Sequence, residues 1–222
     1  MHIHLPKPLH GWRTFVGEVG IIVIGVLIAL AAEQVVQSVH DRSEVEQLRS
    51  ALRSELADDR AGWERMRASD FCTDQRLKML GKWLDSAPPA ARLSGSPYRV
   101  FLWNMHSSAW DIAKTSPAVA HIPLAERLTY AALYGATDNW RQFINEESDN
   151  ARTLSALLAT ADEPENRRQI RFRLVQARSF LDRRRLNYVY FFRRFDELRI
   201  KPDYSQQSLS SDPAELCKPL AE

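Results

Sequence analysis

Val19-Gly-Ile-Ile-Val-Ile-Gly-Val-Leu-Ile-Ala-Leu-Ala-Ala32 is a run of 14 residues without a polar side chain, and nothing else in the chain constrains folding as strongly. A helix of that length rises only about 21 Å, short of the roughly 30 Å hydrocarbon core of a bilayer. Phe15, Val16, Val35 and Val36 extend it to 22 residues, about 33 Å, which does span. Glu18 and Glu33 then fall toward the headgroup zones, where a carboxylate costs far less than at the bilayer centre. A buried core helix is the soluble alternative. A helix apolar on every side asks for hydrocarbon on every side, so residues 15–36 are expected to be a transmembrane helix with the lipid bilayer as partner.

A cleavable signal peptide is the rival reading. Lys7 and Arg13 precede the run, and Ala29-Leu-Ala31 matches the A-x-A cleavage pattern. Against cleavage, no helix breaker follows: Gln34, Val35, Val36, Val39, Val45, Leu48, Leu52 and Leu56 continue at helical spacing. One uncleaved helix leaving the membrane is the expectation. Three regions result: a short tail over 1–14, the span over 15–36, and an extramembrane domain over 37–222. Lys7 and Arg13 against Arg42 alone near the far end favour a cytoplasmic tail, although counting to residue 53 erases the bias. The domain is then expected in the periplasm of a Gram-negative cell, beyond the inner membrane.

The opening His4-Leu-Pro-Lys-Pro-Leu-His-Gly-Trp-Arg13 and Gly17-Glu-Val-Gly-Ile-Ile-Val-Ile-Gly-Val-Leu-Ile-Ala-Leu-Ala-Ala-Glu-Gln34 resemble a group of bacterial single-pass membrane proteins of uncharacterised activity. Ser108-Ala-Trp-Asp111, Ala118-Val-Ala-His-Ile-Pro123 and Glu126-Arg-Leu-Thr-Tyr-Ala-Ala-Leu-Tyr134 extend the resemblance more loosely. It implies an anchor and a helical extramembrane domain, and it brings no catalytic residue.

The remainder reads as helix. From Ser43 to about Asp85, residues such as Leu48, Leu52, Leu56, Trp63, Met66, Leu77, Leu80 and Leu84 fall mostly on i, i+3, i+4 rows. Gly62 weakens that helix by roughly 1 kcal/mol relative to Ala without ending it. Residues 87–97, rich in Pro, Gly and Ser, are a loop. Tyr98 to Met105 is apolar enough for a short buried helix, and Ser108-Ala-Trp-Asp111 has the spacing of a capping box. Pro117 and Pro123 confine a connector. Long helices are expected over Leu124–Thr160 and Glu165–Ile200, the latter stopped by Pro202. No stretch alternates convincingly with period two, so the domain is expected to be all-α, with antiparallel helices.

Two cysteines in 222 residues exclude a disulfide scaffold and any four-cysteine metal site. There is no G-x-S-x-G, phosphate-cradling loop or H-E-x-x-H. His106, Ser107 and Asp111 have triad residue types but are crowded into six positions, whereas a triad converges from different elements. His2, His4 and His10 sit in a tail without a rigid frame. No catalytic residue, cofactor or metal site is therefore assigned, and a non-enzymatic structural or interaction module is expected. The alternative is a ligand-binding or sensing domain with a pocket lined by Trp103, Trp110, Tyr134 and Trp140, working through a membrane partner.

The last helix carries 11 arginines and three acids between Arg167 and Arg199. Ile170, Leu174, Ala177, Leu181, Tyr188, Phe192 and Phe195 form its apolar stripe, placing the arginines on the flanks with their heads in water or against acids. A structural surface is the first expectation. Arg167, Arg168, Arg171, Arg178, Arg183 and Arg184 are the residues that would meet an anionic partner such as lipid headgroups, with nucleic acid last. Gly25 and Ala29 form a small-xxx-small pair that favours a homo-oligomer through the anchor. Cys72 and Cys217, both in the extramembrane part, are expected to form a disulfide tying down a tail that Leu216 and Leu220 would dock only weakly.

Overall fold

The computed structural model describes residues 12–88, 91–93, 97–205 and 217–218, without the side chains of 13 and 14. The expected features of the tail before Trp12, and Leu216 and Leu220, lie outside the described residues. The protein is all-α: α1 (Trp12–Ser86), α2 (Ser108–Ala113), α3 (Leu124–Ala159) and α4 (Pro164–Glu197), with a 3-10 turn at Pro117–His121. Two compact units divide the chain, Met1–Gln47 and Leu48–Glu222.

In the first unit, α1 carries its apolar side chains outward on every side. Phe15, Ile21, Ile24, Leu27, Ile28 and Val36 are all exposed. The most apolar 18-residue window has mean hydropathy 2.5 and none of it is buried. This helix is long and apolar enough to cross a membrane.

In the second unit the pattern of α1 becomes one-sided. Leu52, Leu56, Trp63, Met66, Leu77, Leu80 and Leu84 are buried, because three- and four-residue spacing gathers them on one stripe. Pairings fix the helix directions. Arg171–Asp85, Arg184–Asp70 and Arg60–Asp196 run in opposite order along α1 and α4, so these two are antiparallel. Arg49–Glu126, Leu52–Tyr134 and Trp63–Trp140 run in the same order along α1 and α3, so these two are parallel. At the centre, Trp63 packs against Trp140 at 4.5 Å and Phe191 at 4.2 Å, with Tyr188 edge-on at 5.6 Å between ring centroids.

A parallel α1/α3 pair needs a return path, and residues 97–107 provide it. The helix expected over Tyr98–Met105 is absent; the segment is an irregular strap with Tyr98 and Met105 buried. The reason is that its backbone finds partners outside itself. Arg184 donates to the Phe101 carbonyl at 3.2 Å, Arg141 to the Met105 carbonyl at 2.9 and 3.1 Å, and the His106 amide donates to Asp59 at 3.0 Å. Gly62 makes room for the strap: a Cβ there would meet the Trp103 ring at 2.2 Å.

The helix ends also depart from expectation. α2 is preceded by Ser107, which makes no side-chain cap, and its Ala109 amide donates instead to Glu55 of α1 at 3.0 Å. A tertiary carboxylate thus replaces the capping box expected at Ser108–Asp111. α4 ends at Glu197, short of Ile200, in a Schellman arrangement. Ile200 N–H bonds the Phe195 carbonyl and Arg199 N–H the Asp196 carbonyl, both at 2.9 Å. Arg199 takes the left-handed position, φ 53°, where glycine is usual. Arg53 holds it there by donating to the carbonyls of Leu198 at 2.9 Å and Arg199 at 3.2 Å.

Candidate functional site

The helical unit carries an open groove of about 540 Å³ between α1 and α4. Leu77, Leu84 and Leu174 give it an apolar lining, with Lys78, Arg171 and Arg178 facing Asp85 and Asp182. Gly81 also lines it, and a Cβ added there would meet nothing within 4 Å. A glycine inside a helix costs about 1 kcal/mol relative to Ala, and here no packed neighbour requires it. The arrangement suits an elongated apolar group flanked by charges of both signs.

The six arginines assigned to an anionic surface separate into different roles. Arg171 and Arg178 line the groove but each faces an acid, Asp85 at 2.9 Å and Asp74 at 3.6 Å. Arg168 pairs with Glu165. Arg167 donates to the carbonyls of Leu84 at 2.8 Å and Ala87 at 3.1 Å, satisfying the end of α1. Arg183 lies over the Phe143 ring at 5.4 Å, beside a second groove of about 370 Å³ that Asn139, Trp140 and Asn187 also line. Arg184 is fully buried and belongs to no surface. It sits on the apolar stripe, not on the flank expected for an arginine, and Phe191, not Phe192, is the buried member of the neighbouring pair. Phe192 instead receives Arg67 at 4.4 Å.

The four aromatics expected around one pocket have separate tasks. Trp103 covers Gly62 and donates to Asp59 at 3.2 Å. Trp110 stacks on buried Tyr134 with ring centroids 5.4 Å apart. Trp140 packs against Trp63 in the core.

Two charged clusters hold the strap. At its end, His106 Nδ1 lies 3.4 Å from Asp58 and 3.5 Å from Asp59, and the three residues offer a donor set compact enough for a cation. Asp59, however, is almost fully buried and already accepts from the His106 amide and the Trp103 indole. The carboxylate hydrogen bond holds the His106 pKa above its usual 6.5, while burial raises that of Asp59. The cluster therefore works as a clasp between α1 and the strap. Neither aspartate was singled out in the sequence, where two acids on a charged helix carry no distinguishing signal.

Nearer its middle, the strap meets Arg184. The Nη2 group lies 2.8 Å from Asp70 of α1, and Nη1 lies 3.5 Å from Glu147 of α3 as well as bonding Phe101. Asp70 also accepts from the Tyr188 hydroxyl at 2.7 Å. Burial raises the Glu147 pKa to about 7, against the lowering effect of Arg184 and with a further rise from Asp70.

Cys72 and Cys217 stand at disulfide distance, with Cα atoms 4.6 Å apart. One turn further along α1, Arg76 donates to the Lys218 carbonyl at 2.6 Å. Asp203 N–H bonds the Ala57 carbonyl at 2.9 Å, so residues just past α4 also lie along α1. Gly25 is open, with nothing within 4 Å of a Cβ added there. Compared with protein-family models, curated proteins and solved structures, the chain matches none.

Proposed function

We propose that this protein is a single-pass bacterial inner-membrane protein whose periplasmic helical domain is a structural or interaction module, not an enzyme. The observation that carries the reading is the exposure of the whole apolar window of α1, which in water would leave hydrocarbon surface uncovered. The cysteine pair at disulfide distance supports a periplasmic domain, since such bonds persist there and not in the cytosol. The resemblance of the N-terminal segment to bacterial single-pass proteins agrees with this placement. Fusing alkaline phosphatase or green fluorescent protein after residue 222 tests the topology. Phosphatase activity without fluorescence is expected, and the reverse pattern overturns the orientation.

Self-association through Gly25 and Ala29 is part of the same proposal, since small residues permit close helix approach in lipid. Leu at both positions should remove cross-linked dimers from membranes, and unchanged dimers place the interface elsewhere. A second reading, a ligand-binding or sensing domain acting through a membrane partner, is favoured by the α1/α4 groove. A photo-crosslinking residue at Gly81 separates the two: a small-molecule adduct supports sensing, and a protein adduct supports the module.

A further inference from the structure

The bundle interior contains one guanidinium facing two carboxylates. Arg184 is fully buried, Glu147 is 2% exposed and Asp70 4%. Asp70 has two partners, Arg184 at 2.8 Å and the Tyr188 hydroxyl at 2.7 Å. Glu147 has far less: neither of its oxygens accepts a hydrogen bond, and its approach to Arg184 is 3.5 Å. A buried carboxylate without donors is strongly disfavoured when ionised, so a proton on Glu147 leaves a balanced Arg184–Asp70 pair. Two acceptors then lie near Arg184 Nη1, the Phe101 carbonyl of the strap at 3.2 Å and the Glu147 carboxyl at 3.5 Å.

We propose that Glu147 is a proton-operated latch on the middle of the strap: when protonated it leaves Nη1 of Arg184 to the Phe101 carbonyl, and when ionised it draws that group away and loosens the strap around Phe101, while Arg141 and Asp59 still hold its far end. The groups that face Glu147 are Asp70 from α1, Arg184 and Tyr188 from α4, and Tyr98 from the strap itself. Burial opposes the charge on Arg184, while the carboxylates of Glu147 and Asp70 hold its pKa up. The direction follows from linkage. The Glu147 pKa rises from an ordinary 4.5 to about 7 in the fold. The stability its proton supplies is therefore complete below the lower value and lost as pH rises through the upper one. Acid closes the latch, and neutral to alkaline conditions open it.

Hydrogen exchange of the full-length protein in detergent tests this, with rates corrected for intrinsic chemistry between pH 5 and 8. Protection of amides around Phe101 and Leu102 should fall by about tenfold or more over that range in the wild type. It should stay flat in Glu147→Gln, which is permanently neutral. His106 titrates at the far end of the strap, so amides near Phe101 are read separately from those near His106. Isotope-edited infrared spectroscopy of the wild type gives an independent readout should the variant fail to fold: a protonated buried carboxyl band should disappear with a midpoint near 7. Flat wild-type protection, a parallel fall in Glu147→Gln, or no such carboxyl band each overturns the latch.

Discussion

Residues 15–36 and 48–86 lie on one continuous helix, α1, yet they are built for different surroundings. The first stretch is apolar around its whole circumference and exposed throughout. The second confines its apolar residues to one stripe, and that stripe is buried. The distribution of apolar residues around the axis, more than their number, decides what a helix must be covered by. The glycines differ within the second stretch as well, since Gly81 is open and Gly62 is not. Gly17, Gly20 and Gly25 have nothing within 4 Å of an added Cβ, whereas Gly62 is overlaid by the Trp103 ring.

Substitutions along α1 test this contrast. Trp63→Ala should cost the helical unit about 3–5 kcal/mol in denaturant unfolding, because it empties the centre of a packed aromatic cluster. A loss under 1 kcal/mol would mean that the bundle does not close around this ring. Ile24→Arg should cost insertion about 2.5–3.5 kcal/mol, read as a fall in the membrane-integrated fraction. No change there would mean that residues 15–36 do not cross hydrocarbon. Gly62→Ala should destabilise by about 1–3 kcal/mol through overpacking against Trp103. Gly81→Ala should stabilise by up to about 1 kcal/mol, since its Cβ enters open space and the helix gains propensity. Equal effects at the two glycines would erase the distinction between them.

How far the sequence reveals this architecture depends on whether a feature is periodic. The long helices, the exposed apolar segment and the stripe of α4 follow from spacing, and the Leu124 start of α3 follows from Pro123. The cysteine pair could be named because only two cysteines exist. The strap is not legible in the sequence, because Tyr98–Met105 is apolar enough for helix and its irregular form depends on Arg141, Asp59 and Arg184, which bond it from 36, 47 and 83 residues away. The burial of Arg184 is illegible for a related reason: nothing local reveals that Asp70 and Glu147 converge on it from two other helices. The groove is likewise a product of tertiary packing, since its lining comes from α1 and α4.

If, as we propose, α1 carries the helical unit across a membrane into an oxidising compartment, Cys72 and Cys217 are joined there. Thiol labelling of the full-length protein from freshly isolated membranes, with and without reductant, tests it most directly. Cys72 and Cys217 should react only after reduction, and peptide mapping should recover them joined to each other. Both thiols labelling freely without reductant, in protein that remains folded and membrane-bound, would contradict it.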